Sequence, residues 1–512
     1  MKKPKKISLI VSTGFIVLLL IVVVYSLGNM TVNQPERAYQ KNCALCHLLP
    51  DPAELPKKIW KEGVLPEMAM RMGVKIGDSN PMKGLSMEEQ YFTQLHGVYP
   101  EKPMISKEEW DKIVEYILSK APETLQLDNR KNRGKPLDLF HAQLISLDNR
   151  YGGAITSLQF DKKQQNLFVG TLHGELYKWE KGKKAALEQL LTTPVVSYIG
   201  RKGNHYLTEI GIINPSEVPE GKIWEINKPN KKLLVDKLHR PVYIEVMDMN
   251  NDGEEEIIIC EFGHGVGQLS YLKKNQKGNY DKYEWIKIPG LLKIIPADLN
   301  KDKRTDLILL ASQGNEGVVI LYNQGNFKFS IDKPIQLKPG YGVSWFDVMD
   351  YNGDGHLDFA LVNGDNADYS YTLKPYHGLR IYLNQGNNQF KEACFYPIHG
   401  ATRVIARDFD KDNDIDFAIS AFFPDYKNVP KESFVYLENT DSKNYTFQPR
   451  TFDEAVNGKW MLMESGDFDN DGDEDIMLGS NTNLVRAGEA TGVWLKENTD
   501  MILLENKLNK PN

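Results

Sequence analysis

The phrase "DFDNDGDEDIML", residues 467–478, packs six acids into nine residues and then turns apolar. Four earlier stretches repeat it: "DMNNDGEEEIII" from Asp248, "DLNKDKRTDLIL" from Asp298, "DYNGDGHLDFAL" from Asp350 and "DFDKDNDIDFAI" from Asp408. All five fit D-x-[DN]-x-D-x-x-x-[DE] followed by an apolar run, and their starts lie 50, 52, 58 and 59 residues apart. A period near 50 residues marks propeller blades or another repeat array, in which each unit buries its apolar face against its neighbours. No other feature of the chain narrows its fold as far.

Oxygen side chains at alternate positions can converge on one hard cation. An EF-hand needs a carboxylate at position 12 and flanking helices. Here position 12 is Ile259, Leu309, Leu361, Ile419 or Leu478, so that reading fails. The runs after each loop, such as "EIIIC" and "LILLA", read as buried strands. A strand, a polar turn and another strand then follow, as in "QLSYLKKNQKGNYDKYEW" from Gln268, "VVILYNQGNFKF" ending at Phe329 and "LRIYLNQGNNQF" ending at Phe390. "SFVYLENTDSKNYTF" ending at Phe447 and "GVWLKENTDMILL" from Gly492 read the same way. Residues 155–171 and the hairpins from Gly174 and Gly221 keep the outline without the acids, with Lys163 and Gln165 in their place. The expectation is an all-β propeller of seven blades over 139–512, its first two blades without metal.

These loops resemble the FG-GAP/VCBS family of calcium-loop repeats, in the VCBS-like form. The Phe-Gly and Gly-Ala-Pro signatures of the integrin form are not clear, so integrin-like ligand binding is not implied. The resemblance implies structural Ca2+, up to five ions, held by positions 1, 3, 5 and 9 of each loop. In the first loop these are Asp248, Asn250, Asp252 and Glu256, and in the second Asp298, Asn300, Asp302 and Asp306. The third offers Asp350, Asn352, Asp354 and Asp358, the fourth Asp408, Asp410, Asp412 and Asp416, and the last Asp467, Asp469, Asp471 and Asp475. The rival reading is that the acids only solubilise turns, but five in phase before strands argue against it.

Cofactor chemistry enters at "AYQKNCALCHLLPDP", residues 38–52. Cys43-Ala44-Leu45-Cys46-His47 is a C-x-x-C-H sequence, the attachment site for c-type haem. Two thiols three residues apart on a helix can add to the two vinyl groups, and His47 can then reach the iron. A dithiol redox pair would need a βαβ context, and a zinc site a second Cys or His pair; neither is present nearby. "SKEEWDKIVEYILSKAP" opens on a capping box, Ser106 with Glu109, and Trp110, Ile113, Val114 and Ile117 share one apolar face. A second short capped helix starts at Ser86. Residues 31–122 resemble a small all-α, class I-like cytochrome c domain, which implies one covalent haem. For the sixth ligand, "WKEGVLPEMAMRMG" resembles a Trp-x-x-x-Val-x-x-x-Met pattern that selects Met68, with Met104 as the alternative.

Lys2, Lys3, Lys5 and Lys6 precede an apolar run from Ile7 to Leu27, and no acid comes before Glu36. A run of about 20 residues spans a ~30 Å hydrocarbon core. Residues 1–30 therefore read as a single signal anchor or transmembrane helix, N-terminus cytoplasmic, with the bulk periplasmic. A cleaved signal peptide is the rival, but the run is long and no A-x-A site follows. Residues 123–138 are polar and read as a linker.

Net charge is −7, which disfavours nucleic acid as a partner. Four cysteines do not make a disulfide scaffold, and Cys260 and Cys394 read as buried thiols. No G-x-S-x-G, P-loop or H-E-x-x-H is present, and "FGHGVGQL" lacks the helix of a nucleotide loop. No catalytic residue is assigned. The leading expectation is a tethered electron carrier on the outer face of a bacterial inner membrane, its propeller docking a redox partner protein or ligand. An oxidoreductase with a substrate site in the propeller and the haem as acceptor is one alternative. An adhesion or glycan-binding propeller with accessory haem is another.

Overall fold

Seven sheets form around one axis, each built on four antiparallel strands. The computed structural model describes residues 34–127, 134–227, 230–366, 372–484, 492 and 494–509. Blades 1 to 6 span 155–190, 195–238, 241–286, 291–336, 343–397 and 401–451. In the acidic repeats the loop joins the innermost strand to the second strand, as between Pro241–Met247 and Glu256–Glu261. Every residue of that second strand is buried in all five repeats, because blades cover it on both faces. This is why those runs are continuously apolar rather than alternating. The outermost strands, such as Phe329–Gln336, alternate towards solvent.

The core lies between blades. Ile258, Cys260 and Leu269 of blade 3 pack with Leu307, Leu309 and Val319 of blade 4. Burying each such aliphatic side chain contributes about 1.5–3 kcal/mol. Cys260 is a free thiol within this layer, and Cys394 is free and half-buried.

Blade 7 corrects one expectation. Among the described residues, the stretch from Gly492 does not supply a hairpin; it forms the single strand Met501–Asn506. The outer partner is Phe140–Ile145, which pairs antiparallel with it from Phe140↔Asn506 to Ile145↔Met501. The two ends of the propeller sequence thus share one sheet, which closes the ring and leaves no open inter-blade edge. Upstream, Lys135–Pro136 runs parallel to Arg450–Thr451 as a fifth strand of blade 6, and Leu137 is buried. The polar composition of 123–138 conceals these two anchoring contacts.

The residues form two compact units: those through Pro81 together with Tyr99–Thr124, and Met82–Val98 together with Leu125 onward. The first unit is helical. Helix α1 (Gln34–Cys43) is followed by a π-helical turn, Trp60–Val64, leading into α2 (Leu65–Arg71). Helix α3 (Met87–Leu95) belongs to the propeller's unit, and α4 (Lys107–Lys120) to the helical one. Ser86 and Ser106 cap α3 and α4 by accepting the N–H of Glu89 and Glu109, as their sequences predict. The segment expected to anchor the chain, residues 1–30, lies outside the described residues. Among the described residues, no helix is long and apolar enough to cross a membrane.

Candidate cofactor and metal sites

The five acidic loops share one hydrogen-bond plan. The position-1 carboxylate accepts from the backbone N–H groups of positions 5 and 6; for Asp350 these are Asp354 at 3.0 Å and Gly355 at 2.8 Å. Position 3 also accepts from the position-5 N–H, and the position-5 side chain accepts from position 7. The turn forces positions 4 and 6 to positive φ, as at Gly353 (71°) and Gly355 (80°). Asn, Lys or Gly fills these places elsewhere, with glycine at position 6 in three loops.

Position 9 has a second task. Asp358 is fully buried at the start of its strand. Its Oδ2 accepts from Tyr351 N–H at 2.9 Å and its Oδ1 from Asn384 N–H at 2.8 Å. Asp306 and Asp475 repeat both bonds. Glu256 keeps the first, to Met249. Asp416 keeps the second, to Asn439, and accepts the Tyr436 hydroxyl. The carboxylate that ends each motif therefore ties the loop to the blade, whatever ion it meets.

The loops differ in how well they fit a cation. In the first three, position 3 is asparagine, and its amide donates to the position-5 carboxylate at 2.8–3.0 Å. Lys273 bonds Asp252 at 2.7 Å and sits 3.2 Å from Glu256, and Arg304 pairs with Asp302. In the last two loops position 3 is aspartate. Carboxylate oxygens of Asp408, Asp410 and Asp412 lie within 4.8 Å of one another, as do those of Asp467, Asp469 and Asp475. Burial, with nearby carboxylates behind it, pushes Asp416 and Asp475 up to about 7 and Asp414 to about 6. Buried oxygens of Asp414, Asp471 and Asp473 have no hydrogen-bond partner. Crowded carboxylates and orphaned oxygens are what a divalent cation would satisfy. Lys181 meets only one edge of the last loop, 2.8 Å from Asp469.

In the helical unit, Cys43 ends α1 and is half-buried, while Cys46 is exposed. His47 is half-buried, its Nδ1 2.9 Å from the Leu48 carbonyl, so Nε2 is the nitrogen that could serve as a ligand atom. Burial pushes the Cys43 thiol up to about 12. The buried Tyr39 hydroxyl, near enough for Cys43 to influence its ionisation, has no partner. Helix α1 packs on α4: Tyr39 and Tyr116 rings lie 4.9 Å apart, and Glu109 accepts from Asn42 (3.1 Å) and Lys41 (3.3 Å). The Glu109 side chain thus faces α1.

The methionines separate clearly. Met68 and Met72 are half-buried against the apolar cluster that also holds Cys43, Leu49 and Trp60. Met104 is 52% exposed. Met87 is exposed and lies, with Met82 and His96, in the propeller's unit. His96 instead stacks edge-on against His239, 5.1 Å between ring centres, and Glu89 accepts from Ser216 and from Glu217 N–H, both at 2.6 Å. No local sequence pattern pairs His96 with His239, which lies 143 positions later in the chain.

A family model described as an FG-GAP-like repeat matches residues 298–361. That segment runs from the second acidic loop through the third and into the second strand of blade 5. The chain thus carries an FG-GAP-like repeat within a seven-bladed propeller. Among curated proteins, none matches it.

Proposed function

We propose that the chain is an extracytoplasmic electron carrier, tethered through residues 1–30, with one c-type haem in the helical unit and a propeller that docks its redox partner. The observation that carries the reading is the C-x-x-C-H sequence at the end of α1, beside an apolar cluster shared by Cys43, Met68 and Met72. Cys43 and Cys46 would hold the porphyrin, His47 one axial position and Met68 the other. When bound, the haem supplies a one-electron couple, and a methionine ligand raises its potential. The side chains around Cys43 exclude water from one side of the site, and the α1–α4 contact holds the cysteine-bearing helix in place.

Calcium in this reading is structural. The fourth and fifth loops fit it best, because their carboxylates converge without an amide between them. The first and second loops already meet a lysine or arginine. The ion supplies positive charge to crowded carboxylates, and the residues fix the turn. The test is protein made alongside haem-maturation machinery. The parent should show a reversible ferrous–ferric spectrum, and Cys43→Ala/Cys46→Ala should lose covalent haem. A double variant that keeps covalent haem would overturn the assignment.

A further inference from the structure

The innermost strands of all seven blades share an irregularity that the acidic repeat does not explain. Pairing with the second strand slips by one residue after Ile155, Val195, Pro241, Leu291, Val343, Ala401 and Trp460. Such bulges re-aim the next side chains. Immediately after the slip stand Ser157, Ser197, Tyr243, Lys293, Trp345, Arg403 and Leu462. In blades 3 to 7 this residue lies five positions before the first aspartate of the loop. The seven therefore occupy one level of the ring, and that level carries two cations around an indole.

The Arg403 guanidinium lies 4.1 Å from the Trp345 ring centre, and Lys293 Nζ lies 4.6 Å from it. Trp345 thus touches a cation from the blade before it and one from the blade after it. Arg403 donates to the Thr402 carbonyl at 3.0 Å, and no carboxylate of the described residues comes within ion-pair distance of it. Lys293 donates to the Phe346 carbonyl at 2.8 Å and stands 4.0 Å from Asp347. Arg407 takes the Asp347 carboxylate more closely, at 2.8 Å. Glu464 of blade 7 influences Tyr243 of blade 3 and Lys293 of blade 4. Those blades are not neighbours of blade 7, so these groups face one another across the central channel.

Arg403 meets a backbone carbonyl, whereas Lys293 and Arg407 both stand by Asp347. Burial pushes Glu464 up to about 7 and raises Glu245, which weakens them as counter-ions near neutral pH. Burial also lowers Lys293 to about 8 and Arg403 to about 10, the mark of cations without full compensation. A cation–π contact returns less than a cation loses on leaving water. Fixed cations in a low-dielectric channel, within a chain of net charge −7, form a focused positive spot.

We propose that the central channel of the propeller binds a small oxyanion between Arg403 and Lys293, beside Trp345. The guanidinium fork offers paired donors to a carboxylate or tetrahedral oxyanion, the ammonium a point charge, and the indole fixes the fork's plane. The inference does not depend on the haem reading. It would provide the propeller with a specific anionic ligand, as a free molecule or as a carboxylate on a docking partner.

The test is isothermal titration of the full chain with sulfate and, separately, acetate, at fixed ionic strength. One saturable site is expected for at least one probe, and which probe binds tells tetrahedral from planar recognition. Arg403→Ala and Lys293→Met should each weaken it at least tenfold. Arg403→Lys, which keeps the charge and loses the fork, should weaken it in a folded protein even if Arg403→Ala does not fold. Glu464→Gln should tighten it severalfold by removing a competing carboxylate, a gain that a structural role does not produce. No saturable binding of either probe overturns the proposal. So does unchanged affinity in folded Arg403→Lys and Lys293→Met.

Discussion

Asp358→Ala tests whether the last carboxylate of each loop is a backbone anchor as well as a metal ligand. The side chain is fully buried and accepts from two N–H groups, Tyr351 and Asn384. Alanine leaves both donors buried without acceptors, at about 1–3 kcal/mol each, or about 2–6 kcal/mol together. For a propeller unit of roughly 370 residues, unfolding entropy near 2.1 cal/mol/K per residue gives about 1.3 °C per kcal/mol. The melting temperature should therefore fall by about 3–8 °C. Asp358→Asn keeps one acceptor and should lose about half as much. The assay is thermal unfolding followed by far-ultraviolet circular dichroism, in excess chelator so that metal affinity does not contribute. If Asp358→Ala melts within about 1 °C of the parent under chelator, the carboxylate does not serve those amides, and the anchor argument fails.

Chelation should lower the propeller's melting temperature and leave the haem spectrum unchanged, and re-titration should show two calcium sites tighter than the rest. Asp410→Asn and Asp469→Asn should remove one tight site each by calorimetry, whereas Asn300→Ala should not. Met68→Ala should abolish the thioether-to-iron absorption band; its persistence would move the ligand to Met72, which packs against the same apolar cluster. Burial lowers His96 and His239 below the ordinary 6.5, aided by Lys287 at His96 and by the other ring and Lys282 at His239, while Glu261 opposes the shift at His239. The unfolded state then binds more protons, so this stability is present above about 6.5 and is lost as pH falls below it. Protection factors for the α3 amides, with the intrinsic pH dependence of exchange divided out, should fall between pH 7 and pH 5 in the parent and not in His96→Phe; equal change in both would contradict the contact.

The blades were legible because a ring of repeats writes the same local physics at a fixed period. The acids, the position-6 glycines and the fully buried second strand each answer to sterics or burial within one blade. The closure was not legible. "GVWLKENTDMILL" carries a turn-like Glu-Asn-Thr-Asp, but Met501–Asn506 finds its partner in Phe140–Ile145, some 360 residues earlier in the chain. No local pattern records a pairing that the ring imposes. The His96–His239 contact and the Arg403–Trp345–Lys293 group were hidden for the same reason, since each joins residues more than 50 positions apart in the chain. The channel set did leave one trace: five positions before each acidic loop, where strand alternation predicts an ordinary side chain, blades 4 to 6 carry Lys, Trp and Arg. In the helical unit, the Ser106 cap and the Trp110–Ile113–Ile117 face followed from spacing alone. Glu109 did not; its side chain meets Asn42 and Lys41 rather than closing the cap.

The proposed electron transfer rests on covalent haem at Cys43 and Cys46, and the intact mass of denatured, mature protein tests that most directly. The account predicts a polypeptide heavier by one haem, with the added mass retained on the peptide containing residues 43–47. A mass equal to the bare chain, from cells that mature other c-type cytochromes, would contradict it.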